Sequence, residues 1–468
     1  MTNKKYQLGL VGLGVMGRNL LLNMADSGYA VAGYDKDPEK VDALAQEAQK
    51  HEILGAREIG EFTGALQSPR AILLLVPAGK IVDAVIADLL PYLDKGDLII
   101  DGGNSYFADT DRRYQSLASQ GIHFMGMGIS GGAEGARLGP SMMPGGNREA
   151  FETVRPILES VAAHVNGDPC VAFVGNGSAG HYVKMVHNGI EYGMMELIAE
   201  VYDLMKRGLG LDNPAIAAVF DQWNRGKLAS FLVEITAAIF TKTDDKTGRH
   251  LVDLIQDASR QKGTGKWTSQ DAMNLQAAIP VIDMAVVMRD LSGYKEERVA
   301  AEKILGESGA IPVKDTNAFI AVLENALYFS FLVAYAQGFN HLRKASVEYG
   351  FNLQPATIAK IWRGGCIIRA ALLETFMNAF QHNPALSNLL VDPDIAKAAL
   401  STHSDARSAL KAALDAGIPA AGLSAAVAYF DAYRSRRLPA NLIQAQRDFF
   451  GSHTYERVDM PGTFHTEW

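Results

Sequence analysis

The chain has 468 residues, nearly half of them hydrophobic, which is enough to bury two or more cores and excludes a disordered or fibrous class. A net charge of −8 argues against broad, non-specific nucleic-acid binding, although a locally basic pocket can still take a small anion. The only two cysteines, Cys170 and Cys366, supply neither a disulfide framework nor a four-thiolate metal site, and they fit a reducing compartment.

The opening MTNKKYQLGLVG lacks the apolar segment and small-residue cleavage site of a secretory signal. Runs such as AILLLVP and LIIDGG are too short to cross a bilayer. A cytoplasmic protein without a membrane partner is expected. Up to about residue 175, β-rich runs alternate with amphipathic segments, the pattern of a parallel sheet with crossover helices. The expected strands are YQLGLVG, AVAGYD, AILLLVP, DLIIDGG, IHFMGMG and CVAFVG, with helices over 80–93 and 148–165.

The first strand runs into a helical pattern through Gly12, Gly14 and Gly17 (G-x-G-x-x-G), with Leu13, Val15 and Met16 between them. Such glycines allow a tight turn, close approach of backbone to a pyrophosphate and close helix–strand packing, while the helix N-terminus offers free N–H donors. About 20 residues on, the second strand ends at Asp35-Lys36-Asp37, where an acidic group accepts from the adenosine ribose hydroxyls of a dinucleotide. Asp35 would repel the 2′-phosphate of NADP, so NAD is favoured; Lys36 pulls the other way. Asp37 precedes Pro38 and reads as the N-cap of the next helix.

After Gly180 no segment reads convincingly as a strand, and 181–207, 227–241, 316–349 and 405–434 carry helical periodicity. Within the first of these, Lys184, His187, Asn188 and Glu191 stand at i, i+3, i+4 and i+7 and share one helix face, with Tyr192 at its margin. A polar stripe is ordinarily a solvated face. This one holds His and Asn rather than a Glu/Lys ladder, and Gly189 and Gly193 lie opposite, where they permit close packing. Both readings stand at this point. KGTGKWT departs from a phosphate-binding loop at Arg260 and Trp267 and otherwise reads as a flexible connection. Arg289, alone on a helix, reads as a surface ion-pair partner. The final stretch from Leu438 is aromatic and irregular and suits a surface, including that of a partner subunit; within it Arg447 and His453 read as tail anchors. The histidines are dispersed and no H-E-x-x-H occurs, so no metal site is expected.

Five stretches, DGGN (101–104), SGGAEGARLGPSMMPGG (130–146), GHYVKMVHNGIEYG (180–193), KGTGKWTSQ (262–270) and PANLIQAQRDFFGSHTYE (439–456), closely resemble decarboxylating 6-phosphogluconate dehydrogenases in the same order. The likeness extends to the final FHTEW. It implies an α/β Rossmann-type N-terminal domain (1–178), a large all-α domain for substrate binding and dimerisation (179–436), and an extended C-terminal tail (437–468) that reaches the partner subunit of a homodimer. It implies oxidation of 6-phosphogluconate to ribulose 5-phosphate with loss of carbon dioxide. Lys184 inherits the role of general base and Glu191 that of general acid. Substrate contacts carry over to Asn104, Ser130, Gly131, Gly132, His187, Asn188, Tyr192, Lys262 and Arg289, and to Arg447 and His453 from the neighbouring subunit. Asn104 also meets the cofactor.

Two departures bear on that cofactor. NADP-using members of the family carry Asn-Arg-Ser or Asn-Arg-Thr where this chain has Asp35-Lys36-Asp37, and Val-Lys-Ala where it has Val76-Pro77-Ala78. Both changes remove favourable contacts, and the first adds negative charge. Two rivals share the glycine motif: a dehydrogenase of another β-hydroxy acid, and a dinucleotide-sensing scaffold without catalysis, against which Lys184 and Glu191 speak.

Overall fold

A computed structural model describes residues 5–48, 51–306 and 309–468. The N-terminal part is a seven-stranded sheet: β1 (Leu8–Val11), β2 (Val31–Tyr34), β3 (Ile53–Ala56), β4 (Ala71–Leu74), β5 (Leu98–Asp101), β6 (His123–Ser130) and β7 (Ser141–Gly146). Their order is β3-β2-β1-β4-β5-β6-β7. The first six strands are mutually parallel, with registers such as Leu8↔Val31 and Gly9↔Ile72. Alternate residues serve opposite faces: Leu10, Leu73 and Ile100 enter one core, and Val11, Ile72 and Ile99 the other. Burial on both faces is why these strands read as unbroken apolar runs.

Two strands of this sheet escaped the sequence reading. β3 is a short, half-exposed edge strand with Gly55 inside it. β7 contains Pro144, Gly145 and Gly146 and runs antiparallel to β6, so the sheet is mixed rather than purely parallel. Its proline and glycines argued against a strand, which an edge tolerates. CVAFVG, expected as a strand, is not one: it follows β7 through the single bridges Met142↔Val171 and Gly145↔Gly175.

The remainder is helical around the largest apolar core. The Ala179–Asp203 helix passes into a π-helical turn over Leu204–Gly208. The Thr316–Glu348 helix is capped by Asp315, whose carboxylate accepts from Ala318 N at 3.0 Å. By length and composition it could cross a membrane, with mean hydropathy 1.6. Here it is the central core helix, buried at positions from Leu323 to Ala345. The segment 405–434 is two helices, Pro393–Ala416 and Ala421–Tyr433, interrupted where Gly417 takes φ 67° ahead of Pro419. The tail is more ordered than its composition suggests: it forms the Ala440–Gly451 helix and a two-stranded hairpin, Tyr455–Glu456 with Thr463–Phe464.

Candidate active site

The three glycines of the first turn do three different jobs. Gly12 takes φ 102°, and a Cβ there would meet Leu75 O at 2.4 Å; a Cβ on Gly17 would meet Gly12 O at 1.9 Å. Gly14 has nothing within 4 Å of such a Cβ and begins the Val15–Asp26 helix without a side-chain cap. The open position therefore sits beside free helix N–H groups, as a bound pyrophosphate requires. A cavity of about 580 Å³ opens there, bordered by Gly12, Gly14, Tyr34, Asp35, Lys36 and Val76. These residues fit a dinucleotide.

Asp35 is already employed within the protein. Its Oδ2 accepts from Leu13 N at 2.8 Å and its Oδ1 from Asp37 N at 3.0 Å, bracing the glycine turn against the second strand. Lys40 lies 3.4 Å away. Lys36 turns to Asp88 at 2.7 Å. Asp37 caps the Pro38–Glu47 helix, accepting from Glu39 N at 3.1 Å. Val76 and the more exposed Pro77 line the cavity, whereas Ala78 is exposed on the turn after β4 and does not border it.

The polar stripe of the Ala179–Asp203 helix is not a solvated face. Lys184 is 6 % exposed and His187 is fully buried. Four glycines make this possible. A Cβ on Gly128 would lie 2.3 Å from Lys184 Cβ, one on Gly180 would lie 2.0 Å from Gly126 O, and one on Gly145 2.3 Å from Gly180 N. Strand and helix backbones thus meet without side chains between them, and Lys184 is pressed against β6. These glycines are the signal that sequence reading missed: glycine at alternate positions of a strand marks a close backbone approach.

Burial holds the Lys184 amine below the ordinary lysine range, against the opposing pull of Glu191 and Cys366. Burial, then the neighbouring Lys184, depresses His187 well below its usual value, so its ring is neutral. His187 Nδ1 is 3.0 Å from Asn188 Oδ1, which can only accept, so the ring proton belongs there. Nε2, 3.4 Å from Ser130 Oγ, is left to accept from that hydroxyl. Lys184 Nζ stands 3.5 Å from the same Nδ1; a neutral amine can accept from it, whereas an ammonium has nothing there to donate to. The ring also packs edge-on to Trp362. Burial lifts Glu191 above the usual carboxylate range, opposed by Lys184 and Arg289, so two turns of helix carry a base and an acid with their affinities for protons drawn toward each other.

The other expected residues surround this pair. Asn188 Nδ2 donates to Thr264 Oγ1 at 3.2 Å, tying the stripe to the loop bearing Lys262. The Thr264–Asn274 helix begins directly after Gly263, so most of KGTGKWT, expected to be flexible, is helical. Lys262 itself is exposed. Tyr192 packs against Gly265, and the Arg289 guanidinium lies over the Tyr192 ring at 3.6 Å. Contrary to the surface-pair reading, Arg289 makes no ion pair among the described residues; stacking replaces it and leaves the charge available. Gly131 and Gly132 take φ 111° and 64° at the start of the Gly132–Leu138 helix, and a Cβ on Gly131 would meet Gly365 O at 2.8 Å. Asn104 is exposed beyond Gly103, whose N–H donates to Asp101 Oδ1 at 3.0 Å. Behind this turn the buried Arg113 reaches Asp101 at 3.5 Å and Gly79 O at 3.0 Å, joining the two turns at the cofactor's edge. Arg447 and His453 do not join the cluster in this chain: both are exposed on the tail, and among the described residues the Arg447 side chain bonds only Gln444, at 3.0 Å.

Residues 7–175 match the family model described as the NAD binding domain of 6-phosphogluconate dehydrogenase, and 180–468 that of its C-terminal domain. The chain is 50% identical over 465 residues to the NADP(+)-dependent, decarboxylating 6-phosphogluconate dehydrogenase of Bacillus subtilis, covering 99% of each. It is equally similar to the decarboxylating enzyme of Escherichia coli K12. Among solved structures, the 6-phosphogluconate dehydrogenase of Plasmodium falciparum superposes with TM-score 0.96 at 42% identity, covering 99% of this chain and 100% of that one; its complexes contain NADP+ and 6-phosphogluconate. A mixed sheet with an open glycine turn, a buried lysine seated against it and likeness from end to end have one common explanation: the chain belongs to the decarboxylating 6-phosphogluconate dehydrogenases, a family of NAD(P)-dependent oxidoreductases.

Proposed function

We propose that the chain oxidises 6-phosphogluconate to ribulose 5-phosphate and carbon dioxide in the cytoplasm, with NAD preferred to NADP, as a homodimer. Residues 1–178 hold the dinucleotide, 179–436 carry the proton-transfer groups and the dimer contact, and 437–468 complete the partner's site. The observation that carries the reading is Lys184: a buried amine of lowered proton affinity seated against the dinucleotide sheet, with a carboxyl of raised proton affinity two turns along the same helix.

The chemistry needs both groups. Hydride leaves C3 only as the C3 hydroxyl loses its proton, and Lys184 takes that proton. The nicotinamide ring, when bound, accepts the hydride. Oxidation yields a β-keto acid; Lys184, now charged, donates to the ketone oxygen, and carbon dioxide departs as the electrons settle into an enol. Glu191 then protonates the carbon that lost the carboxylate, C1 of ribulose 5-phosphate, as Lys184 takes back the enol's hydroxyl proton and the ketone forms. The Gly131–Gly132 backbone offers donors to the substrate carboxylate, and the Ser130 hydroxyl joins them by turning its one proton away from His187. His187 and Asn188 meet its hydroxyls. Tyr192, Lys262 and Arg289, with Arg447 and His453 of the second copy, take the phosphate. The tail's exposed Leu442, Ile443, Phe449 and Phe450 support its docking on that copy, since apolar side chains 59–72% exposed are costly in water.

For the cofactor, the Asp35 carboxylate lies on the cavity wall where a 2′-phosphate would approach, and Lys36 and Lys40 are already paired with carboxylates. Lys80, also lining the cavity, has no ion pair among the described residues, which supports residual use of NADP. Initial rates on 6-phosphogluconate with each cofactor test the function: NAD is expected to give the higher kcat/KM, and no reduction of either ends the proposal. Asp35→Asn with Lys36→Arg should raise the NADP-to-NAD ratio of kcat/KM by about tenfold or more. An unchanged ratio would remove Asp35 as the discriminating group.

A further inference from the structure

The carboxylate of Asp448 is fully buried inside the tail, where four N–H groups rather than an arginine or lysine converge on it. Thr454 N and His465 Nδ1 reach Oδ1, each at 2.9 Å; Thr466 N and Trp468 Nε1 reach Oδ2, each at 3.0 Å. Burial works against the charge, but these donors prevail and bring the acid down to about 2, so it is an anion at any assay pH. One carboxylate therefore joins the Ala440–Gly451 helix, the turn after it and the last residues of the chain.

That turn is His453. The residues on either side, Ser452 and Thr454, take φ 48° and 60°, a left-handed conformation that residues other than glycine adopt only where their surroundings hold them. Thr454 is held from both sides: its N–H by Asp448 and its carbonyl by Gln444 Nε2 at 2.6 Å. The same Gln444 accepts from Arg447 through Oε1. The imidazole of His453 folds against Gly451, where a Cβ would lie 2.9 Å from the ring.

We infer that Asp448 is a positioning residue for substrate binding in the partner subunit, setting Arg447 and His453 in place before the tail docks. The inference rests on the reading above that the tail completes the neighbouring site. A preformed tail loses less conformational freedom on binding the phosphate than a loose one, so the effect belongs in substrate affinity and not in hydride transfer.

The test uses the full-length enzyme. Asp448→Asn, which keeps the shape and removes one acceptor oxygen, should raise KM for 6-phosphogluconate about tenfold, leaving kcat within about twofold and the cofactor KM unchanged. Trp468→Phe deletes one donor of the four and should raise the same KM about threefold with the oligomer, read by size-exclusion chromatography, intact. Arg447→Ala examines the tail reading itself and should raise that KM by more than about tenfold. A wild-type KM in Arg447→Ala removes the tail from the site and this inference with it. An impaired Arg447→Ala beside wild-type substrate KM in Asp448→Asn, or in an intact Trp468→Phe should Asp448→Asn fall apart, overturns the positioning role alone.

Discussion

Lys184→Met should lower kcat by about three to four orders of magnitude while leaving dinucleotide affinity within about twofold. The side chains are similar in length, and the site is already dry, so methionine can occupy the space without opening a cavity. What disappears is the only amine in the buried cluster, and with it both the acceptor for the C3 hydroxyl proton and the later donor to the ketone. The glycine turn and its cavity lie on the sheet side and do not touch this side chain's end. Stopped-flow measurement of reduced nicotinamide, alongside fluorescence titration of the cofactor, separates the two quantities. Turnover within tenfold of wild type would end the assignment of Lys184 as base.

Glu191→Gln should cut kcat by about two to three orders of magnitude, with the deficit falling on C1 protonation more than on oxidation. Glutamine preserves the volume and cannot supply the proton. The wild-type rate should be bell-shaped in pH. Activity falls on the acid side as Lys184, lowered by burial, takes up a proton, and falls on the alkaline side as Glu191, raised by burial, loses one. The two groups influence each other, so each limb reports the pair. In the residual activity of Glu191→Gln the rise with pH should persist and the alkaline fall should vanish. Solvent-deuterium incorporation at C1 of the product that proceeds at the wild-type rate would refute the acid role.

Much of the site was legible along the chain because its parts are local. The glycine turn, Asp35 and the cap at Asp37 lie within one strand–helix–strand unit, where spacing translates directly into geometry. The stripe from Lys184 to Glu191 is likewise local, since one helical period puts its members on one face. Less legible were elements whose own residues disfavour them. Pro144 and two glycines form a strand only because β6 provides a register for an edge. Residues 440–451 form a helix in a stretch that composition marks as irregular.

Sequence by itself determined that a dinucleotide turn opens the chain, that helices follow the sheet, and that lysine, histidine, asparagine and glutamate share one helix face, because each is a matter of periodicity over a few turns. Whether that face met water or a core was decided by tertiary contact alone. Gly126 and Gly128 on one strand, Gly145 on the next and Gly180 on the helix belong to three separate elements, and only their convergence brings the helix backbone onto the sheet and buries the Lys184 amine. The availability of Arg289 was decided the same way, by a ring from another helix lying beneath it. A proton affinity depends on what surrounds a group in three dimensions, and spacing along a chain does not carry that information.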